Sequence, residues 1–238
     1  MADRHRPLTR QAWAARLLTV TGLFFALALP AFAAPLAAVS VPSRPALPAP
    51  DTSPPGPGLP VPDLGLAPGE RLVAVLVTSL GDVRCTLDHA ASPVSVANFV
   101  ALARGEREWV DPVDGESTRR PLYDGTLFHR VVPGFLVQGG DPSGTGTGGP
   151  GYSLVDEAAG SVFDRPGILA LANRGPNTGG SQFFVTLGPA RHIDGRYTPL
   201  GTCTNLAVLE RIAAVPRGER NRPLAPPVLR SVRIEKQS

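Results

Sequence analysis

Proline is the residue that most restricts what this chain can build, because it locks φ and removes a backbone donor. Of the 27 prolines in 238 residues, 11 crowd into residues 34–69, with few charges between them. Such a stretch sustains neither a helix nor a sheet ladder, so residues 34–69 are expected to form a semi-extended, disordered linker. A ligand for a proline-recognition module is the functional alternative for the same stretch.

The segment before the prolines is a different material. Arg4, Arg6, Arg10 and Arg16 precede an uncharged run, Leu17 to Leu29, and Ala31-Phe32-Ala33 supplies small residues at both cleavage-defining positions. Residues 1–33 are therefore expected to be a secretory signal peptide, and the chain an exported protein of the periplasm or cell envelope. No charge appears from Leu17 to Val41, so an uncleaved membrane anchor is the competing reading, which Pro30 and Pro35 weaken. Cleavage after Ala33 removes four of the 23 basic and one of the 20 acidic side chains and leaves 19 of each. The basic balance belongs to the precursor, and no electrostatic case for nucleic acid survives.

Residues 70–238 are expected to form one folded domain. Leu72 to Thr78 is rich in β-branched and aliphatic residues, Gly81-Asp82 marks a turn, and Val83, Cys85 and Leu87 alternate with polar neighbours as a half-buried strand does. Ser92 as N-cap, Pro93 at the first position and Gly105 as the stop delimit a helix with Val96, Phe99, Val100 and Ala103 on one face. Residues 106–120 are polar and irregular, a long loop. Short strands are expected near 126–132, 135–138, 167–171, 182–187 and 198–203, then a helix from Asn205 to Val215 and a closing strand from Val228 to Ile234. Many short strands and two helices suggest an antiparallel barrel with helical caps.

Several familiar chemistries fail on their context. Two cysteines exclude a zinc ribbon or a four-cysteine cluster, and His5, His89, His129 and His192 lie too far apart for a spaced metal motif. Gly144, Gly146 and Gly149 match G-x-G-x-x-G, but Pro150 follows at once and no helix opens there. Ser181 lacks the flanking pattern of a nucleophile elbow. His129 and Asp141 would make a base and its orienter, but no nucleophile is identified for them to serve. Phe128, Phe183 and Val185 read as barrel core, and His129 as a satisfied buried histidine.

Two long segments remain: Phe128-His129-Arg130-Val131-Val132-Pro133-Gly134-Phe135-Leu136-Val137-Gln138-Gly139-Gly140-Asp141, and Leu169-Ala170-Leu171-Ala172-Asn173-Arg174-Gly175-Pro176-Asn177-Thr178-Gly179-Gly180-Ser181-Gln182-Phe183-Phe184. Both strongly resemble the cyclophilin family of peptidyl-prolyl cis-trans isomerases, and the resemblance runs from about Leu72 to Glu235. It implies a mainly β fold, a closed eight-stranded antiparallel barrel capped by two α-helices. It also implies rotation about X-Pro bonds, assisting the folding of exported proteins, with proline-containing polypeptides as partners, no metal or other cofactor, and a monomer. A cyclophilin-like module that binds proline-containing segments without turnover is the alternative.

Carried over residue by residue, the resemblance makes Arg130 the central electrostatic group, with Gln138 and Phe184 beside it in the catalytic set. Phe135, Leu136 and Phe184 would form the slot for the proline ring, with Ile193 at its margin. Gln138 and the Asn173 backbone would bond the substrate main chain, Ala172 would line the binding groove, and Gln182 and Gly146 the neighbouring subsite. The sequence departs from the family pattern in places. Leu136 stands where methionine is common, which keeps the slot apolar. His192 occupies a tryptophan position linked to tight cyclosporin binding, and Tyr197 replaces a histidine at the rim. Arg174 replaces a small residue beside Asn173; it either adds charge to the substrate-binding subsite or reaches into solvent, and solvent is the expectation. The loop Arg107 to Pro121 is an insertion relative to compact members. Cys85 and Cys203 both fall on predicted strands; in an oxidising compartment they pair, otherwise they are two buried thiols, and both readings stand.

Overall fold

The computed structural model describes residues 63–238. The expected signal peptide and most of the expected linker lie outside the described residues. Of the linker stretch, residues 63–69 lie inside them, and there Leu64 and Leu66 pack against the main core. Lys236 Nζ donates to the Gly65 carbonyl, which ties this approach to the last strand.

Aliphatic β-branched runs build the first hairpin, β1 (Arg71–Thr78) and β2 (Gly81–Leu87). Burial alternates along β2, with Val83, Cys85 and Leu87 inward as their spacing predicts, and the tight turn falls at Ser79-Leu80. Helix α1 (Pro93–Arg104) starts at Pro93 and stops at Gly105, whose φ of 71° is left-handed. A side chain there would meet the Arg120–Pro121 backbone at 2.8 Å, so glycine is required both by conformation and by space. Ser92 holds the N-cap position, but its hydroxyl makes no capping bond. Glu157 caps the helix from a distant loop instead, its carboxylate accepting from the Val94 and Ser95 amides at 3.1 and 2.8 Å.

The expected irregular loop after α1 contains a small two-stranded ribbon, β3 (Trp109–Val110) with β4 (Ser117–Thr118). The Trp109 indole donates to the Arg120 carbonyl at 2.9 Å, and the Arg120 guanidinium lies 4.8 Å from the indole ring. Then come β5 (Thr126–Leu127), β6 (Arg130–Val132), β7 (Leu136–Gly139), β8 (Ile168–Leu171), β9 (Phe183–Thr186) and β10 (Pro199–Cys203). Helix α2 (Leu206–Ala213) and β11 (Val228–Gln237) complete the described chain.

The protein is mainly β with two helices. One curled antiparallel sheet of nine strands runs β5-β11-β1-β2-β10-β8-β9-β7-β6. Eight strands were expected, and the ninth comes from the predicted strand 126–132, which breaks at Phe128-His129. Its first half pairs with β11 and its second with β7, so consecutive pieces of one segment hold opposite edges of the sheet.

The main core fills the inner face, where Phe99, Tyr123, Phe128 and Phe183 meet as tilted and edge-on rings with centroids 4.9–6.4 Å apart. Phe128, Phe183 and Val185 all belong to it, as their sequence context implied. Cys85 and Cys203 face each other across β2 and β10 and are joined as a disulfide spanning 118 residues.

Candidate active site

The period-2 alternation of β6 to β9 divides their side chains between two apolar masses. Val131, Val137, Val185 and Leu169 stand opposite one another across the four strands and enter the main core. The next row along, Arg130–Gln138–Phe184–Ala170, points to the other face. There a second, separate cluster forms from Leu136, Phe163, Ile168, Ala170, Phe184, Ala190 and Ile193. Phe135, Ala172 and Tyr197 pack on it while half-buried and make its rim.

The β6–β7 hairpin places Arg130 beside this cluster. Pro133-Gly134 makes the turn, with Gly134 at φ 72° and the Phe135 amide donating to the Val132 carbonyl at 3.0 Å. From Arg130 a one-way chain of donors runs inward. Its Nη1 donates to Gln138 Oε1 (3.2 Å), Gln138 Nε2 donates to Gln182 Oε1 (3.0 Å), and Gln182 Nε2 donates to the carbonyls of Gly146 (3.2 Å) and Gly148 (2.8 Å). Among the described residues no carboxylate pairs with Arg130, so part of its five-donor fork stays available. Bonds of this kind, all pointing one way, polarise one another and fix the guanidinium.

The glycine-rich loop that receives the chain is wrapped around a carboxylate of its own protein. Asp141 is fully buried. Its Oδ1 accepts from the Ser143 amide and hydroxyl, and its Oδ2 from the Gly146 and Gly148 amides. The backbone N–H groups that a nucleotide loop would turn toward phosphate are thus satisfied internally.

Asn173 Nδ2 donates to the Arg196 carbonyl at 2.9 Å, and the Ala172 amide donates to the Gln182 carbonyl at 2.8 Å. The Tyr197 ring meets Phe184 edge-on at 5.2 Å, and the exposed His192 ring sits 5.2 Å from Phe135. Arg174 does not simply reach into solvent. Its guanidinium turns back to donate to the Thr147 and Gly148 carbonyls, because those oxygens lie within reach at the loop edge. His129 is buried at 5% exposure, and neither ring nitrogen makes a hydrogen bond of good geometry among the described residues, although the Leu127 backbone and the Asp141 carboxylate both act on the ring. Burial holds its pKa below the ordinary 6.5, against the pull of the Asp141 carboxylate.

Sequence reasoning missed Phe163, Ile168, Ala170 and Ala190, the floor of the second cluster. The alternation of Ile168-Leu169-Ala170-Leu171 carried the signal for two of them. Phe163 and Ala190 come from loops and are joined by the Ala190 amide donating to the Phe163 carbonyl at 2.7 Å. Among the described residues no group of three His, Cys, Asp or Glu side chains could hold a metal ion.

A family model described as cyclophilin type peptidyl-prolyl cis-trans isomerase matches residues 72–234. Peptidyl-prolyl cis-trans isomerase B of Streptomyces anulatus is 48% identical over 171 residues, covering 70% of this chain and 98% of its own. A probable peptidyl-prolyl cis-trans isomerase A of Mycobacterium leprae is 42% identical over 169 residues, covering 69% and 93%. Among solved structures, a cyclophilin type peptidyl-prolyl cis-trans isomerase of Cryptosporidium parvum superposes with a TM-score of 0.60 at 29% identity, over 69% of this chain and 98% of that one. The same protein solved in the presence of the dipeptide Ala-Pro superposes with a TM-score of 0.59, also at 29% identity, over 68% and 98%.

Proposed function

The chain belongs to the cyclophilin-type peptidyl-prolyl cis-trans isomerase family, and from that premise we propose that Arg130 and the apolar cluster beside it form the site where X-Pro bonds of exported polypeptides are turned. The observation that carries this reading is the row Arg130–Gln138–Phe184, which sets a fixed cation against an apolar cluster kept apart from the main core.

Rotation about X-Pro breaks no bond. Its barrier of roughly 18–20 kcal/mol is amide resonance, and uncatalysed exchange takes about 10–100 s. The site must bind the twisted amide better than either planar form. Phe135, Leu136, Phe184 and Ile193 hold the pyrrolidine ring. Twisting returns the lone pair to the proline nitrogen, and the Arg130 guanidinium donates to it. Gln138 holds that guanidinium in place and bonds the substrate main chain together with the Asn173 backbone. Ala172 lines the groove, while Gln182 and Gly146 line the neighbouring subsite. A donor preorganised in this way contributes about 3–4 kcal/mol in other active sites.

Three finer points belong to the same reading. Closure of the sheet into a barrel through the segment 126–132 is supported by β5 and β6 holding its two edges with only Phe128 and His129 between them, and by the bridge from Leu127 to Asp141. Export to the periplasm or envelope fits the Cys85–Cys203 disulfide, which persists in oxidising compartments. A proline-containing substrate fits the relative solved with Ala-Pro.

Exchange NMR on an Ala-Pro peptide, which needs no coupled protease, tests the activity. We expect cis and trans resonances to interconvert far faster with catalytic amounts of protein. Peptide binding without faster exchange would favour the non-catalytic module instead.

A further inference from the structure

A cavity of about 410 Å³ opens beside the site; it shares Arg130 and Gln138 with the row above but takes in none of the apolar cluster. Its other walls are His129, Thr145 and Gly146, together with Glu219 and Arg220 of the 3-10 turn Glu219–Asn221 and the following Arg222. Three arginines, Arg130, Arg220 and Arg222, and one carboxylate residue, Glu219, line it, and the Asp141 carboxylate lies buried behind Gly146, which leaves a positive surplus. Arg222 spends its Nη2 on the Gly144 carbonyl at 2.9 Å and its Nη1 on that of Thr145 at 3.4 Å. Arg220 is exposed and has no partner among the described residues. Its φ of 54°, followed by 58° at Asn221, is a conformation that non-glycine residues rarely adopt. His129 also lines the cavity, with its ring nitrogens buried.

We propose that this cavity is an anion subsite, which receives the carboxylate of an Asp or Glu side chain lying two or three residues from the proline of the client polypeptide. The proposal rests on the isomerase reading above. An acidic side chain of the client fits better than a free anion because the cavity continues the substrate groove through Arg130 and Gln138. Leu136 and Gln138 lie two residues apart on β7, about 7 Å along a strand, which is the span of two residues of an extended peptide. A carboxylate there meets forked donors that match its geometry.

The test compares kcat/KM by exchange NMR for peptide pairs that differ only in Asp against Asn, or Glu against Gln, two or three residues from proline on either side. For at least one position we expect the acidic peptide to be favoured by about fivefold. The preference should shrink by at least half in Arg220→Gln, return in Arg220→Lys, and fade in the native protein between about 50 and about 500 mM salt. The salt arm stands whether or not the variants fold. Turnover that does not discriminate charge at any position, or a preference indifferent to both Arg220→Gln and salt, overturns the subsite alone. No turnover on either peptide overturns the isomerase reading and the subsite with it.

Discussion

Each oxygen of the buried Asp141 carboxylate accepts two hydrogen bonds, and the loop they hold presents the Gly146 and Gly148 carbonyls to Gln182. A side chain at Gly148 would come within 2.1 Å of Asp141 Oδ1, so the glycine is spatially required. The glycine spacing was visible in the sequence, but the group it wraps was not, because a carboxylate two residues before Ser143 carries no mark of what it will bond. The same limit applied to His129, which reads as a satisfied core histidine until its surroundings are seen. Burial keeps that ring neutral in the fold with its pKa below 6.5. As pH falls, the unfolded chain takes up the proton first, so stability from this group is full above pH 6.5 and is lost between 6.5 and the lower folded value. We expect the urea midpoint to drop between about pH 7 and about pH 5, and to drop less in His129→Gln; equal drops would contradict this.

Strand alternation does the sorting at the level of elements. Adjacent phenylalanines on β9 go to opposite masses, Phe183 into the main core against Phe99, Tyr123 and Phe128, and Phe184 into the cluster beside Arg130. Periodicity in the sequence predicted both helices and most strands, because each carries a full turn of apolar spacing or several alternations. It gave no handle on β3 and β4, two residues each, which are held by the Trp109 and Arg120 contacts rather than by any pattern. Nor does it reveal that 126–132 breaks to serve two edges. We expect Phe183→Ala to cost about 3–5 kcal/mol of unfolding free energy. Phe184→Ala should instead lower kcat/KM by at least about tenfold while costing less stability. Denaturant titrations and exchange NMR on both variants check this, and the reverse ranking would refute the two-face assignment.

Across the whole molecule, the long-range link at Cys85–Cys203 closes 118 residues and ties β2 to β10 near the middle of the sheet order. A cross-link of that span stabilises by roughly 4–5 kcal/mol where chain entropy governs. We expect reductant, or Cys85→Ser with Cys203→Ser, to lower the urea midpoint substantially; an unchanged midpoint would mean that the sheet holds without it. Mass spectrometry of the mature N-terminus checks export, with Ala34 expected as the first residue. The central claim, however, lies with one guanidinium, and its direct test is exchange NMR on an X-Pro peptide with Arg130→Ala and Arg130→Lys, each first shown to be folded by circular dichroism. The account predicts a loss of about a hundredfold or more in kcat/KM for alanine, only partly restored by lysine, whose ammonium lacks the planar fork. Catalysis undiminished in folded Arg130→Ala would contradict it.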